Sequence, residues 1–372
     1  MSSLQAWHGG NLTRLAKRSG LKEVDILDFS VNLNPLGPPP WLADEIAASI
    51  PELSRYPDPE SNRLREAAAA HWGVPATSIV CANGSDELFR ILPRALGVSS
   101  LVVPVPSYSA YASSTLPTEI IQLEEKDGFY VDFDCLDTAL KTAGPGGMLF
   151  LGAPNNPTGI LPKSESIHDL ALRHSASWVC VDEAFLDFTE PEATLARNGP
   201  PNLITLRSLT KFWAVPGLRI GLALCAPETR DRIRSCLSDW PVNTLAETVG
   251  ARALGDGAYI RKSIAECARL RLDLLGRLAS LDGIAPLPGA VANFLLLKLE
   301  NANPNIKGFD SITVENALLK KGVAVRDCSS FAGLSQNEEC RYIRVAVRTE
   351  AENERLVSAL GEVLRQLGSN KG

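Results

Sequence analysis

No stretch of the 372-residue chain is apolar for long enough to span a bilayer, and its start, MSSLQAWHGGN, lacks the charged-then-apolar pattern of an export signal. A soluble, cytoplasmic protein is expected. Lysine and arginine form no dense block, and the formal net charge is -6. That balance argues against nucleic acid or an anionic membrane as partner and points to a small-molecule substrate. Eight cysteines (Cys81, Cys135, Cys180, Cys225, Cys236, Cys267, Cys328, Cys340) include no close C-x-x-C pair, and several lie in apolar runs. They read as reduced core residues. His8, His71, His168 and His174 show no metal-ligand spacing such as H-E-x-x-H, so no metal site is expected. Repeats and low-complexity segments are absent as well.

What is present is enough apolar material, 45% of the residues, to bury a large core and form two domains. From Ser78 to Cys225 strand-like runs alternate with helical ones: strands at 78–82, 101–105, 119–123, 148–152, 178–181, 202–206 and 218–225, and helices from Gly84 to Leu96, from Tyr108, and over 164–174. Such alternation predicts an α/β domain with a helix-covered, mainly parallel sheet. Ser61 is read as the cap of an alanine-rich helix over 62–72. A long amphipathic stretch over 259–281 is placed as the link to a smaller α+β domain. The expected division is 1–50 packing with the small domain, 51–270 as the large domain, and 271–372 as the small one.

Within this frame the stretch SLTKFWAVPGLRIG, from Ser208 to Gly221, stands out. Lys211 should sit in a connection at the sheet's edge, where chemistry is usually mounted. A lysine whose surroundings lower its pKa can form a Schiff base with an aldehyde cofactor. Ser208 and Arg219 offer a hydroxyl and a planar fork of donors suited to one phosphate. Gly84-Ser85-Asp86 opens a helix whose amides could receive the same phosphate, with Asp86 the awkward neighbour. Asn156, in Asn-Pro-Thr-Gly, and Asp182 each follow or end an apolar strand. An aspartate there can pair with a protonated ring nitrogen, and an amide can bond a ring hydroxyl. Singly, these features read equally as a solvated lysine, a turn, a helix cap and a salt bridge. In parallel sheets, however, ligands bind beyond the strands' carboxyl ends, where all four motifs fall.

The ordered set N-P-T-G, D-E-A-F and S-L-T-K-x7-R resembles the fold type I enzymes that use pyridoxal 5'-phosphate. The resemblance implies that fold, with Lys211 as the Schiff-base lysine and Gly84, Ser85, Asp86, Asn156, Asp182, Ser208 and Arg219 around the cofactor. It also implies a homodimer with shared active sites, in which Tyr108 lies against the ring face and Tyr56 reaches the partner's cofactor phosphate. Nearly end to end, H-G-G-N (8–11), D-F-S-x-N-x-N-P-L-G (28–37), R-Y-P-D and Y-x-R-V-A-V-R look like the threonine-phosphate decarboxylases of cobalamin synthesis, a branch close to the histidinol-phosphate aminotransferases. Phe185 stands where many aminotransferases of this type carry tyrosine.

For a phosphorylated amino acid substrate, orientation has to come from anchoring both ends, so His8, the Gly9 and Gly10 amides and Arg326 are expected to share the phosphate. Arg344 and Asn34 would position the carboxylate. An inward guanidinium in the apolar strand YIRVAVR calls for an anion, although an exposed face for Arg344 satisfies the same alternation. Serine phosphate is a further candidate substrate, because one methyl group alters binding by only about 1–3 kcal/mol.

Overall fold

The computed structural model describes residues 9–189, 194–197, 199–300, 309–336 and 339–369. His8 lies outside them. Seven strands form the main sheet: β1 (Ile79–Asn83), β2 (Ser100–Val105), β3 (Thr118–Gln122), β4 (Gly147–Gly152), β5 (Trp178–Asp182), β6 (Leu203–Ser208) and β7 (Ile220–Leu224). Their spatial order is β1-β7-β6-β5-β4-β2-β3. Only β7 runs against the rest, pairing antiparallel with both β1 and β6. All residues of β4, β6 and β7 are buried. Continuous apolar runs of this kind belong to a sheet covered by helices on both faces.

Lys211 sits in the connection from β6 to β7, which is wound there into a short helical turn, Leu209–Phe212, because Leu209 and Phe212 both enter the core. Several local expectations are corrected. The helix placed after Tyr108 is only a 3-10 turn, Ser109–Ala112, since of its residues only Tyr111 is buried and the polar run that follows gives a longer helix no apolar face. Ser61 precedes the helix Asn62–Trp72 but does not cap it. Its φ is 48°, its hydroxyl has no partner, and the Asp58 carboxylate takes the Asn62 amide instead, at 2.9 Å. Sequence reading passed over the helix Phe133–Ala143, although Asp132 caps it and Leu136, Ala139 and Leu140 make its buried stripe.

The second sheet is antiparallel: β8 (Ile284–Pro286), β9 (Phe294–Leu299), β10 (Arg326–Asp327) and β11 (Tyr342–Ala346), in the order β10-β11-β9-β8. Helices Ser311–Lys320 and Glu350–Ser369 accompany it. The first part of the N-terminal segment joins this unit, whereas Trp41 and the helix Leu42–Ser49 pack on the large domain, which corrects the expectation for 1–50. Leu27–Asp28 pairs in parallel with Val323–Ala324, and the Ala346 amide bonds the Phe29 carbonyl at 2.9 Å. The 23-residue helix Gly257–Ala279, about 35 Å long at about 1.5 Å per residue, ties the two cores together. Tyr259 and Cys267 belong to the core around Trp72, Phe212 and Trp213, while Leu270, Leu274 and Leu278 pack with Phe29, Leu295 and Val345. Among the described residues no helix is long and apolar enough to cross a membrane.

Candidate active site

A single cavity collects the carboxyl ends of β1, β4, β5 and β6, the start of β7, the segment 30–33 and the strands β10 and β11. Gly9, Gly84, Ser85, Asp86, Tyr108, Asn156, Asp182, Ser208, Lys211, Arg219, Arg326 and Arg344 all line it. These residues span most of the chain, and the parallel strand order is what brings them to one rim.

The floor is built by β5 and β6. Asp182 is the last residue of β5 and is buried. Its Oδ1 accepts from the Ala184 amide at 3.0 Å and its Oδ2 from the Tyr111 hydroxyl at 2.7 Å. Burial raises its carboxyl above the ordinary value, against the lowering effect of those two bonds and of the Lys211 charge. One turn beyond β6, the Lys211 Nζ lies 2.9 Å from the Thr210 hydroxyl and 3.5 Å from that of Ser208. Burial pulls the Lys211 amine down to about 8, helped by Arg219 and Arg344 and opposed by Asp182 and Asp86. A fraction of the amine is therefore neutral near pH 7 and able to attack a carbonyl.

Three chain segments form an anion cup. Gly84 takes a φ of 81° and leads into the helix Ser85–Ala95, whose first residues, Ser85 and Asp86, line the cavity. A Cβ on Gly84 would stand 2.6 Å from an Arg219 guanidinium nitrogen, and one on Gly221 would stand 2.3 Å from Gly84 C and Ser85 N. Only glycine at both positions lets the helix start, Arg219 and β7 close on one another. The two hydroxyls of Ser208 and Thr210, 2.8 Å apart, complete the cup. Asp86 is held by Arg90 at 3.0 Å, which answers the objection that a carboxylate there would repel an anion.

Opposite ladder positions on β10 and β11 carry Arg326 and Arg344. Two like charges directly across a ladder repel unless an anion lies between them or nearby. Burial lowers both guanidinium pKa values, that of Arg344 to about 10, so both stay charged at neutral pH. Arg344 bonds the Asn156 carboxamide oxygen and, at 2.7 Å, the Ser30 carbonyl. The exposed alternative for Arg344 is thus excluded. Arg326 meets the Ser330 hydroxyl at 2.7 Å and lies over the Phe331 ring. Gly9 and Gly10 pass close to Ser30, whose hydroxyl accepts from the Gly10 amide at 3.2 Å. A Cβ on Gly9 would come within 2.6 Å of the Ser30 carbonyl.

Two residues expected at the site of their own chain, Gly10 and Asn34, do not line the cavity, and the Gly10 amide is taken by the Ser30 hydroxyl. The Asn34 amide nitrogen bonds the Phe212 carbonyl and the Ser263 hydroxyl, both at 2.8 Å, and its oxygen takes the Leu36 amide. It pins the segment 30–36 to the large domain. The cavity residue is Asn32, buried with its oxygen unpartnered. Positions 32 and 34 share the parity of an extended chain, so alternation could not separate them. Tyr56 is 79% exposed and stacked on Trp240 at 4.4 Å, away from the cavity of its own chain. Tyr111 and Thr210 went unnoticed in the sequence. The only signal for Tyr111 was its place three residues after Tyr108.

Known proteins resemble the chain over almost its whole length. The family described as aminotransferase class I and II matches residues 24–360. The chain is 33% identical to the threonine-phosphate decarboxylase of Salmonella typhimurium over 98% of each chain. It is 34% identical, over 96% of its own length, to the adenosylcobalamin biosynthesis bifunctional protein CobDQ of Leptospira interrogans, and spans 41% of that longer protein. The solved histidinol-phosphate aminotransferase of Clostridium acetobutylicum superimposes with a TM-score of 0.81 at 26% identity, covering 92% of this chain and 100% of that one. The chain belongs to the class I and II aminotransferase family.

Proposed function

We propose that the chain is a pyridoxal-phosphate-dependent decarboxylase that converts L-threonine O-3-phosphate to (R)-1-aminopropan-2-ol O-phosphate and carbon dioxide, supplying the aminopropanol linker of adenosylcobalamin. The observation that carries this reading is the pair Arg326 and Arg344, set side by side in the cavity that holds Lys211. Threonine phosphate presents two anionic groups at once, a carboxylate and a phosphate. Similarity to the Salmonella decarboxylase along both whole chains supports the same choice.

The residues present fit the cofactor. Its phosphate suits the cup of helix N-terminus, Ser208 hydroxyl and Arg219 fork. Asp182 is the acid for the ring nitrogen. Asn156, whose oxygen is engaged by Arg344, keeps its amide nitrogen to donate to the ring oxygen. Tyr108 supplies a half-buried aromatic face, and Lys211 the amine that joins the aldehyde. When bound, pyridoxal phosphate supplies an electron sink for the pair left on the substrate's Cα.

In this reading Arg326, with the Gly9 amide, holds the substrate phosphate, while the Gly10 amide is taken by Ser30, and Arg344 turns the carboxylate to the side where its bond to Cα can break. His8 retains its proposed place at the phosphate. The bond between Cα and the carboxylate breaks and carbon dioxide departs. Lys211 would hold a proton at Nζ and deliver it to Cα in place of the departed carboxylate. Phe185 lines the wall and packs edge-on against Phe294 at 4.9 Å, leaving that side of the cavity without a hydroxyl. The working protein in this reading is a cytoplasmic homodimer in which Tyr56 of one subunit reaches the cofactor phosphate of the other.

The test is to supply threonine phosphate, with no keto acid, to the cofactor-loaded protein and assay carbon dioxide and phosphorylated amine together. Equal release of both supports the decarboxylase. Conversion of histidinol phosphate that depends on 2-oxoglutarate, with no carbon dioxide from threonine phosphate, would instead make the protein an aminotransferase like its Clostridium relative.

A further inference from the structure

Behind the cavity wall, one aromatic residue acts on the site without lining it. Tyr111 is buried on the turn Ser109–Ala112, and its hydroxyl donates to Asp182 Oδ2 at 2.7 Å. Its ring is locked from several sides. It stacks on Phe150 with centroids 5.7 Å apart, tilts against Phe89 at 5.1 Å, and meets Tyr108 edge-on at 5.7 Å. Room for the hydroxyl is kept by Gly152, the ladder neighbour of Asp182, where a Cβ would come within 3.3 Å of the phenol oxygen.

We propose that Tyr111 is a positioning residue that fixes the Asp182 carboxylate and sets how tightly Asp182 holds the proton it shares with the cofactor ring nitrogen. The inference rests on the cofactor reading above. With the Ala184 amide on Oδ1 and the Tyr111 hydroxyl on Oδ2, neither oxygen can swing, so the remaining lone pairs keep one direction. The hydroxyl also disperses the carboxylate's negative charge, which favours the ionised acid beside a protonated ring. Burial and the adjacent carboxylate push the Tyr111 hydroxyl well above the ordinary tyrosine value, so it remains a donor throughout the working range.

Other ionisable groups face this pair. Lys211 and Glu183 act on Asp182, while Cys180 and Tyr108 lie beside Tyr111. Arg219 and Arg344 act on Lys211 and help to hold its proton affinity down. The Tyr111 hydroxyl donates to Asp182 Oδ2 in the midst of these groups.

The sign of the effect follows. Without the hydroxyl the carboxylate is a stronger base, the shared proton moves towards Asp182, and the ring carries less positive charge. A less cationic ring withdraws less from the nitrogen of Lys211, which then keeps its proton to higher pH. Tyr111→Phe removes one atom and leaves the ring packing in place.

The experiment is a pH titration of the visible absorbance of the pyridoxal-phosphate-loaded protein, in the parent, Tyr111→Phe, Asp182→Asn and the double variant, each with its thermal midpoint. The expected result is an upward move of the titration midpoint by about half to one pH unit in Tyr111→Phe, and no further move when the change is made on Asp182→Asn. An unchanged midpoint in Tyr111→Phe overturns the proposal. So does a shift that persists in the Asp182→Asn background, since Tyr111 would then act by another route. If the parent shows no band that is lost in Lys211→Ala, the cofactor reading itself fails, and that failure is distinct from a failure of Tyr111 alone.

Discussion

Lys211 gives the site its pH dependence. Its amine is drawn down to about 8 from an ordinary lysine value of 10.5, with burial the leading cause. The neutral fraction of the cofactor-free protein therefore rises with pH through about 8. Capture of added pyridoxal phosphate, followed by growth of its visible band, is expected to accelerate over that window and level off above it. The linkage to stability has the opposite origin from that of a salt-bridged acid. The native state binds this proton more weakly than the unfolded chain, so the cost of burying the charged amine is fully present below about 8 and disappears as pH approaches 10.5. Lys211→Ala is expected to abolish turnover and the visible band while leaving the cofactor-free protein no less stable at pH 7. Chemical denaturation beside absorbance spectra tests both halves, and a marked loss of stability would contradict the burial argument.

At the scale of elements, the contact between the start of the helix Ser85–Ala95 and β7 is the tightest point near the cavity. Gly221→Ala puts a methyl group 2.3 Å from Gly84 C and Ser85 N, and backbone on both sides cannot give way cheaply. The anion cup is expected to open, weakening pyridoxal phosphate binding by about 10-fold or more at a stability cost of about 1–3 kcal/mol. Equilibrium dialysis of the cofactor reads the first effect and thermal unfolding the second. On the reverse face, Arg207, which precedes Ser208 on β6, is fully buried between Asp187 and Glu183, the residue that follows Asp182. Arg207→Met would strand two buried carboxylates and is expected to cost about 3–5 kcal/mol, read as a lowered denaturation midpoint. Simultaneous apolar replacement of all three should recover most of that loss, because the desolvation cost disappears with the charges.

Considered as a whole molecule, Tyr56 and Trp240 stack on each other with large exposed surfaces in the single chain, and Ile50 and Leu53, a few residues before Tyr56, are exposed as well. The homodimer proposed above gives Tyr56 a place to act, since it is absent from the cavity of its own chain. Tyr56→Ala is expected to leave the dimer assembled, as seen by sedimentation, while cofactor release accelerates by about 10-fold through loss of one hydrogen bond to a charged phosphate. Unaltered release from an intact dimer would remove Tyr56 from the site.

How much of this was legible depended on whether the signal was local. The apolar runs of β4 to β7 pointed to a covered, mainly parallel sheet, and that sheet's geometry gathered Gly84, Asn156, Asp182 and Lys211 at one rim. The motif spacing from Asn156 to Arg219 was likewise readable, because each residue follows its strand within a few positions. Side-chain direction was not. Asn32 and Asn34 carry the same chemistry at the same parity, and only the packing of the large domain's Phe212 and Ser263 on one of them decided which faces the cavity. Tyr111 became the partner of Asp182 through a contact 71 residues away in sequence. Arg326 and Arg344 met through antiparallel register rather than spacing. The sequence by itself determined the strands, their order of chemistry and the lysine. The tertiary structure decided which polar groups are desolvated together, because burial and hydrogen-bond partners are properties of packed neighbours, and those set the proton affinities on which the site depends.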